Sequence, residues 1–170
     1  MTDLSRTHLD QLENQSIFIF REAYHAFKNI AMPWSMGKDS NVLVWLARKS
    51  FFGRVPFPVL HIDTTYEFPE MLEFREWATK YHNLNLIVKI NTEARARGIG
   101  YETHDPVTVT HELKTVALQQ VLAEYKWDAL ITGIPATKIP RARRSDIFRR
   151  ATRSSRGIIR ISRPSSGANS

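Results

Sequence analysis

Short apolar runs alternate with amphipathic stretches along the first 132 residues, and this alternation constrains the fold more than any other feature of the chain. The apolar runs are typical of buried strands, and the stretches with apolar residues at helical spacing predict helices. Alternation of this kind predicts an α/β fold, in which a doubly wound parallel sheet is covered by helices on both faces. The predicted helices are 9–27, 39–50, 69–82 and 109–125, and the predicted strands are 30–34, 57–62, 84–90 and 128–132.

Composition agrees with one packed domain. The chain has 170 residues, of which 42% are hydrophobic, and domains commonly contain about 100–200 residues. The absence of cysteine excludes disulfides, thiolate metal sites and thiol catalysis within this sequence. No apolar run approaches the roughly 18–20 residues of a membrane span, and the N-terminus lacks the apolar core of a secretory signal. We therefore expect a cytoplasmic protein that does not contact a membrane.

The segment 35–40, with the sequence SMGKDS, joins the first predicted strand to the helix that follows it. Backbone N–H groups and the positive end of the helix dipole point outward from such a turn, which makes it an anion site. Lys38 adds a mobile cation, and Ser35 and Ser40 add hydroxyl donors. Because serine and aspartate also cap ordinary helices, the pattern leaves both phosphate binding and simple capping open.

Two further polar segments follow predicted strands. Residues 61–66 come at the end of the second strand, and Gly133 follows the fourth. Ligands of doubly wound sheets bind at the carboxyl ends of the strands, near the switch in strand order. The sequence therefore predicts one site in which these segments meet the 35–40 loop. For His61 and Asp63 a structural role, as a satisfied buried imidazole and a turn cap, stays open beside a role in binding.

Several motifs carry a family resemblance. The loop at 35–40 resembles the S-G-G-K-D-S loop of the PP-loop ATP pyrophosphatase superfamily, with Met36 in place of the first glycine. Residues 61–71 (HIDTTYEFPEM) resemble the motif H-x-D-T-x-x-x-F-x-E-M, and residues 114–118 (KTVAL) and 128–133 (DALITG) match a helix and a strand of the same family. Over residues 5 to about 134, the chain resembles the small subunit of bacterial sulfate adenylyltransferase.

The resemblance implies an adenine-nucleotide α-hydrolase-like, Rossmann-like fold that uses ATP and sulfate to make adenosine 5′-phosphosulfate and pyrophosphate. It implies a GTPase large subunit as partner, and Mg²⁺ is expected with ATP, although the sequence shows no ligand set for the ion. The loop would hold the pyrophosphate end, and Asp63 and Thr64 would lie near the nucleoside. The catalytic residues stay unassigned, and the implied nucleotide-binding residues are Ser35, Gly37, Lys38, Asp39, Ser40, His61, Asp63, Thr64 and Gly133.

Other functions share this loop. A phosphoadenylyl-sulfate reductase needs a catalytic cysteine, so the sequence disfavours that activity. A second PP-loop enzyme that adenylates another acceptor, such as an RNA-modifying enzyme, would show salt-dependent RNA binding. An inactive remnant would bind ATP without turnover. These alternatives stay open beside sulfate adenylyl transfer.

The C-terminal residues differ in charge from the rest of the chain. Residues 134–170 contain nine Arg, one Lys and one Asp, a net charge of +9, whereas the first 133 residues carry −2. We expect a nucleotide-binding domain at 1–134 and a disordered basic tail at 135–170, which would bind nucleic acid only if the tail is genuine. Read one base out of frame, codons for 135–148 can encode RDEDPARAKERYF, which resembles the family's R-D-E-x-x-x-R-A-K-E-R segment. A frameshift near Ile134, with loss of the C-terminal part and impaired activity, is therefore expected.

Overall fold

The computed structural model describes residues 3–133 and 157–161 of the chain, with side chains from residue 7 to residue 133. The helices are α1 Asp3–Ala26, α2 Lys38–Ser50, α3 Pro69–His82, α4 Thr92–Ala96, α5 Pro106–Thr110 and α6 Ala117–Tyr125, with a π-helical turn His111–Val116 between the last two. The strands are β1 Ile30–Pro33, β2 Val59–Ile62, β3 Leu86–Lys89, β4 Ala129–Gly133 and β5 Gly157–Ile161.

All five described strands run parallel in one sheet with the order β3-β2-β1-β4-β5. The chain moves outward from β1 to β2 and β3, and then returns to the opposite side of β1 to form β4. The order therefore switches at β1, and the crevice above its carboxyl end is the position at which doubly wound folds bind ligands. The predicted α/β fold with a parallel sheet is confirmed.

Alternate residues of β1 face the two sides of the sheet, as the pleat of a strand requires. Ile30 and Met32 pack with residues of α1, α2 and α3, whereas Ala31 packs on the other face with Leu60 and with Val121 of α6. Burial on both faces explains why the strand reads as a continuous apolar run. Among the residues that the structure describes, no helix is long and apolar enough to cross a membrane.

Helix ends follow local chemistry. Pro69 occupies the first turn of α3, where its missing N–H costs nothing. Asn83 ends the same helix in the left-handed conformation, which asparagine tolerates better than most residues. The side chain of Asp105 caps α5 by accepting hydrogen bonds from the backbone amides of Val107 and Thr108.

The structure differs from the sequence prediction in the third connection and at the C-terminus. The helix predicted at 109–125 starts earlier, at Pro106, and includes the π-helical turn, while α4 has no counterpart in the prediction. Within the tail predicted at 135–170 to be disordered, Gly157–Ile161 forms β5 beside β4, where no strand was predicted. The other positions of that tail lie outside the described residues.

Candidate functional site

A cavity of about 410 Å³ opens at the carboxyl ends of β1, β2 and β4, which is the switch point of the sheet. Its walls come from the loop after β1, the end of β2, the π-helical turn and the end of β4. Of the nine sequence-predicted residues, five line this cavity: Ser35, Asp39, Ser40, His61 and Gly133. The other four, which are Gly37, Lys38, Asp63 and Thr64, lie outside the lining, although Gly37 and Lys38 belong to the same loop.

The loop has the backbone of an anion site. Met36 adopts a left-handed conformation with φ of 61°, and Gly37 is extended at the N-cap of α2. Gly37 has no side chain, so the N-cap residue itself offers no side-chain acceptor to the first amides of α2. Ser40 Oγ donates to the Gly37 carbonyl at 2.9 Å and lies 3.2 Å from Ser35 Oγ. The start of α2 therefore presents amides, hydroxyls and the positive dipole end at the rim of the cavity.

The conformation of the loop is held by a buried tryptophan. Trp34 Nε1 donates to Asn41 Oδ1 at 2.8 Å, and Asn41 Nδ2 donates to the Met36 carbonyl at 2.9 Å. Trp34 is only 2% exposed and Met36 7%. Because both ends of the Asn41 amide are used, this residue ties the first turn of α2 to the strand and to the loop.

His61 is buried at the end of β2, with 2% of its surface exposed. Its Nδ1 lies 3.0 Å from the Trp34 carbonyl oxygen. Because a carbonyl oxygen can only accept, Nδ1 carries a proton, and in the neutral imidazole Nε2 has the lone pair. Nε2 has no hydrogen-bond partner among the described residues and lies 3.9 Å from Glu67 Oε1.

Asp63 is engaged by the turn that follows β2. Its Oδ1 accepts from the Thr65 amide and its Oδ2 from Arg75 Nη1, each at 2.8 Å. Burial opposes ionisation of this carboxyl, but the hydrogen bonds from Arg75 and Thr65 outweigh it and hold the pKa of Asp63 below its ordinary value. Thr64 donates to Glu67 Oε1 from both its amide and its hydroxyl, at 3.2 Å each. Asp63 and Thr64 thus shape the turn, which is the structural alternative that the sequence left open.

The lining also includes three polar residues that are not among the nine predicted from the sequence. Lys114, on the π-helical turn, is a basic residue of the lining, and Glu67 and Thr132 are the others. Thr132 Oγ1 is buried without a hydrogen-bond partner among the described residues. The signal for Lys114 was the KTVAL segment, which matched a family helix but suggested no contact. π-helical turns occur frequently at functional sites.

Gly133 allows β4 to approach α2 closely. A Cβ atom at this position would lie 3.2 Å from Leu43 Cδ1. The small residue therefore keeps the end of β4 against the first turns of α2, so that both elements border the same cavity.

Comparisons with known proteins show which family this chain resembles. Sulfate adenylyltransferase subunit 2 of Hahella chejuensis is 46% identical over 134 residues, which is 78% of this chain and 44% of that protein. The subunit 2 of Methylorubrum populi is 49% identical over 128 residues, which is 75% of this chain and 41% of that protein. The chain thus spans less than half the length of these relatives, and the resemblance that the motifs predicted is confirmed.

Solved structures show the fold. A phosphoadenylyl-sulfate reductase from Candida auris matches with a TM-score of 0.59 at 17% identity, over 82% of this chain and 73% of that one. The U34-tRNA thiolase NcsA from Methanococcus maripaludis matches with a TM-score of 0.58 at 14% identity, over 91% of this chain and 60% of that one. The model of the phosphoadenosine phosphosulfate reductase domain matches residues 29–162, which is most of the sequence. The chain therefore belongs to the phosphoadenosine phosphosulfate reductase domain family.

Proposed function

We propose that the chain is the ATP-binding part of a sulfate adenylyltransferase, which converts ATP and sulfate into adenosine 5′-phosphosulfate and pyrophosphate. The observation that carries the proposal is the cavity at the switch point, with the anion-binding start of α2 on one wall and Lys114 on another. The names of the relatives, sulfate adenylyltransferase subunit 2, supply the reaction.

The triphosphate would lie along the loop after β1. The amides at the start of α2 and the hydroxyls of Ser35 and Ser40 would bind the pyrophosphate end, with Lys38 at the same helix start. Lys114 would neutralise charge from the π-helical turn. These donors are held in place before the ligand arrives, and such preorganisation is what stabilises developing charge in phosphoryl and adenylyl transfer. Mg²⁺ would enter with the nucleotide.

In the proposed reaction a sulfate oxygen attacks the α-phosphorus in line with the leaving group. The bond from the α-phosphorus to the bridging oxygen breaks, and pyrophosphate leaves with that electron pair. Sulfate is a weak nucleophile and its product is a high-energy anhydride, so positioning and charge neutralisation must supply most of the catalysis. A GTPase large subunit would drive the unfavourable equilibrium by coupling it to GTP hydrolysis.

Turnover and binding are separated by two measurements. Calorimetric titration with ATP and Mg²⁺ should show one site, and Lys114→Met should weaken binding by about 10- to 100-fold, the value of one lost charge-assisted hydrogen bond. Lys80→Met, which removes an exposed cation on α3, is the matched control and should bind as the wild type does. Equal affinity of the two variants would contradict the proposed position of the phosphates.

The reaction itself is tested with ATP, labelled sulfate and a GTPase partner, by the appearance of labelled phosphosulfate. A second candidate is a chain that binds ATP without turning it over, because residues 135–148 do not carry the R-D-E-x-x-x-R-A-K-E-R segment of the family. Binding without product would support that candidate, whereas product would exclude it.

We also propose that the +9 tail results from a shift of the reading frame near Ile134. The nucleotide sequence tests this directly. A continuous family-like frame one base away would support the shift, and a frame interrupted by stop codons within the next few dozen codons would refute it.

A further inference from the structure

Three side chains with metal-binding atoms converge after β2. The ligand atoms of His61, Asp63 and Glu67 all lie within 4.8 Å of one another. Ligands that each lie about 2.1 Å from one ion are about 3–4 Å apart, so the three atoms need to close by only about 1 Å. The imidazole comes from β2 and the carboxylates from the turn behind it, so the backbone places all three on one side of the turn.

A separate observation points to a ligand at this place. His61 is 2% exposed, and its Nε2 has no hydrogen-bond partner among the described residues. Glu67 Oε2 is also buried and has no hydrogen-bond partner in the part of the chain that the structure describes. Buried polar atoms are nearly always paired, but neither His61 Nε2 nor Glu67 Oε2 has a hydrogen-bond partner among the described residues, although Nε2 lies 3.9 Å from Glu67 Oε1.

The surrounding contacts orient the three groups as they do around bound metals. The Trp34 carbonyl accepts from His61 Nδ1, which directs the lone pair of Nε2 toward Glu67. Arg75 and the Thr65 amide hold the Asp63 carboxylate. Metal-ligating histidines usually donate their other N–H to a carbonyl or carboxylate, and ligating carboxylates are themselves hydrogen-bonded.

The charge balance also suits a cation. Asp63 and Glu67 bring two carboxyl groups to the cluster, and the Arg75 guanidinium pairs with Asp63. Arg75 donates to Asp63 Oδ2, and the Thr65 amide donates to Oδ1. A carboxylate has about four acceptor positions, so the ion pair does not prevent Asp63 from binding a metal.

We propose that His61, Asp63 and Glu67 bind a divalent transition-metal ion, with Zn²⁺ as the representative ion. One imidazole and two carboxylates match Zn²⁺, Mn²⁺ or Fe²⁺, whereas Mg²⁺ prefers oxygen ligands alone. His61 and Glu67 also line the cavity, so the remaining coordination positions of the ion face it. Binding of this ion requires neither the proposed reaction nor the Mg²⁺ that accompanies ATP.

The test uses the full chain, stripped of metal and without nucleotide. Calorimetric titration with Zn²⁺ should show one equivalent per chain, and Co²⁺ should produce visible absorption bands of an ordered site. His61→Asn should weaken Zn²⁺ binding by more than about tenfold, because the Asn amide can still donate to the Trp34 carbonyl but lacks the lone pair of Nε2. Glu67→Gln keeps an oxygen that accepts from Thr64 and should weaken binding similarly.

The matched controls are His25→Asn and Glu70→Gln, which change exposed residues outside the cluster and should bind Zn²⁺ as the wild type does. Circular dichroism establishes whether each variant is folded, and ¹⁵N imidazole spectra of the wild type give a measurement that requires no variant. A Zn²⁺-dependent shift of the His61 Nε2 resonance is expected. Absence of stoichiometric binding, equal affinity in all four variants, or a shift confined to other histidines would overturn the site.

Discussion

Replacement of Met36 tests whether side-chain burial holds the loop in its left-handed conformation. The residue has a φ of 61°, where a side chain costs about 1–2 kcal/mol relative to glycine. Its side chain is 7% exposed and belongs to the core formed by α1, α2 and the sheet. The similar loop of PP-loop proteins has glycine here, so this chain accepts backbone strain and offsets it with buried apolar area.

The expected magnitudes follow from these two facts. Met36→Ala removes the buried side chain but keeps Cβ, so it should lower the free energy of unfolding by about 2–5 kcal/mol. Met36→Gly loses the same packing but also relieves the strain of about 1–2 kcal/mol, less about 0.5–1 kcal/mol for the extra chain entropy of glycine. The glycine variant should therefore be the more stable of the two by about 0.7 kcal/mol, the middle of a range of about 0–1.5 kcal/mol, although both are less stable than the wild type.

Urea unfolding measures this order from the transition midpoints, provided that the three proteins share one slope. The comparison between the glycine and alanine variants isolates the backbone contribution to the free energy of unfolding, because both variants lose nearly the same side chain. If the alanine variant were as stable as the glycine variant or more so, Met36 would not be left-handed in solution. If both variants matched the wild type, the side chain would not contribute to the core.

Two other perturbations address the contacts beside the loop. Since the pKa of Asp63 is lowered from 3.8, its pairing with Arg75 stabilises the fold above that pH and the contribution is lost as pH falls through the folded-state value. The urea midpoints of the wild type and Arg75→Met should therefore differ most near pH 7 and converge in acid. A difference that does not change with pH would show that the ion pair is not the source of the stability lost in the variant. Asn41→Leu leaves Trp34 Nε1 and the loop carbonyl unpaired, which should cost about 1–3 kcal/mol and weaken ATP binding in calorimetry. An unchanged midpoint and affinity would show that the amide does not hold the loop.

The sheet and the position of the cavity were predictable because they depend on periodicity alone. The buried strands β1, β2 and β4 carry continuous apolar runs, and the polar segments after them had to meet at one edge once the strands were parallel. The loop at 35–40 was identified in the same way, since Lys38 and two serines follow directly after a strand. Patterns of this kind predict which segments border a cavity, and five of the nine predicted residues line it in the structure.

The pairing of individual side chains was not predictable, because it depends on rotamers and on packing between distant elements. Nothing in the motif at 61–71 distinguishes an Asp63 that binds Arg75 from one that faces a ligand. Similarly, the π-helical turn that carries Lys114 has no local sequence signal, since it arises where α5 and α6 join in one continuous helix. The strain at Met36 is also hidden, because methionine is uncommon in that conformation.

The contacts around β2 divide the predicted residues into two groups with different functions. The carboxyl of Asp63 and both donors of Thr64 are used within the turn, where they hold Arg75 and Glu67 in place. His61 lines the cavity; its Nδ1 bonds the Trp34 carbonyl, and its Nε2 is buried without a partner among the described residues. A neutral histidine in this arrangement has a lone pair that could bind a metal or accept a hydrogen bond from a ligand. Arg75 and the Thr65 amide hold the Asp63 carboxyl, and Thr64 holds Glu67, so the turn orients the two carboxyl groups of the proposed metal site beside His61.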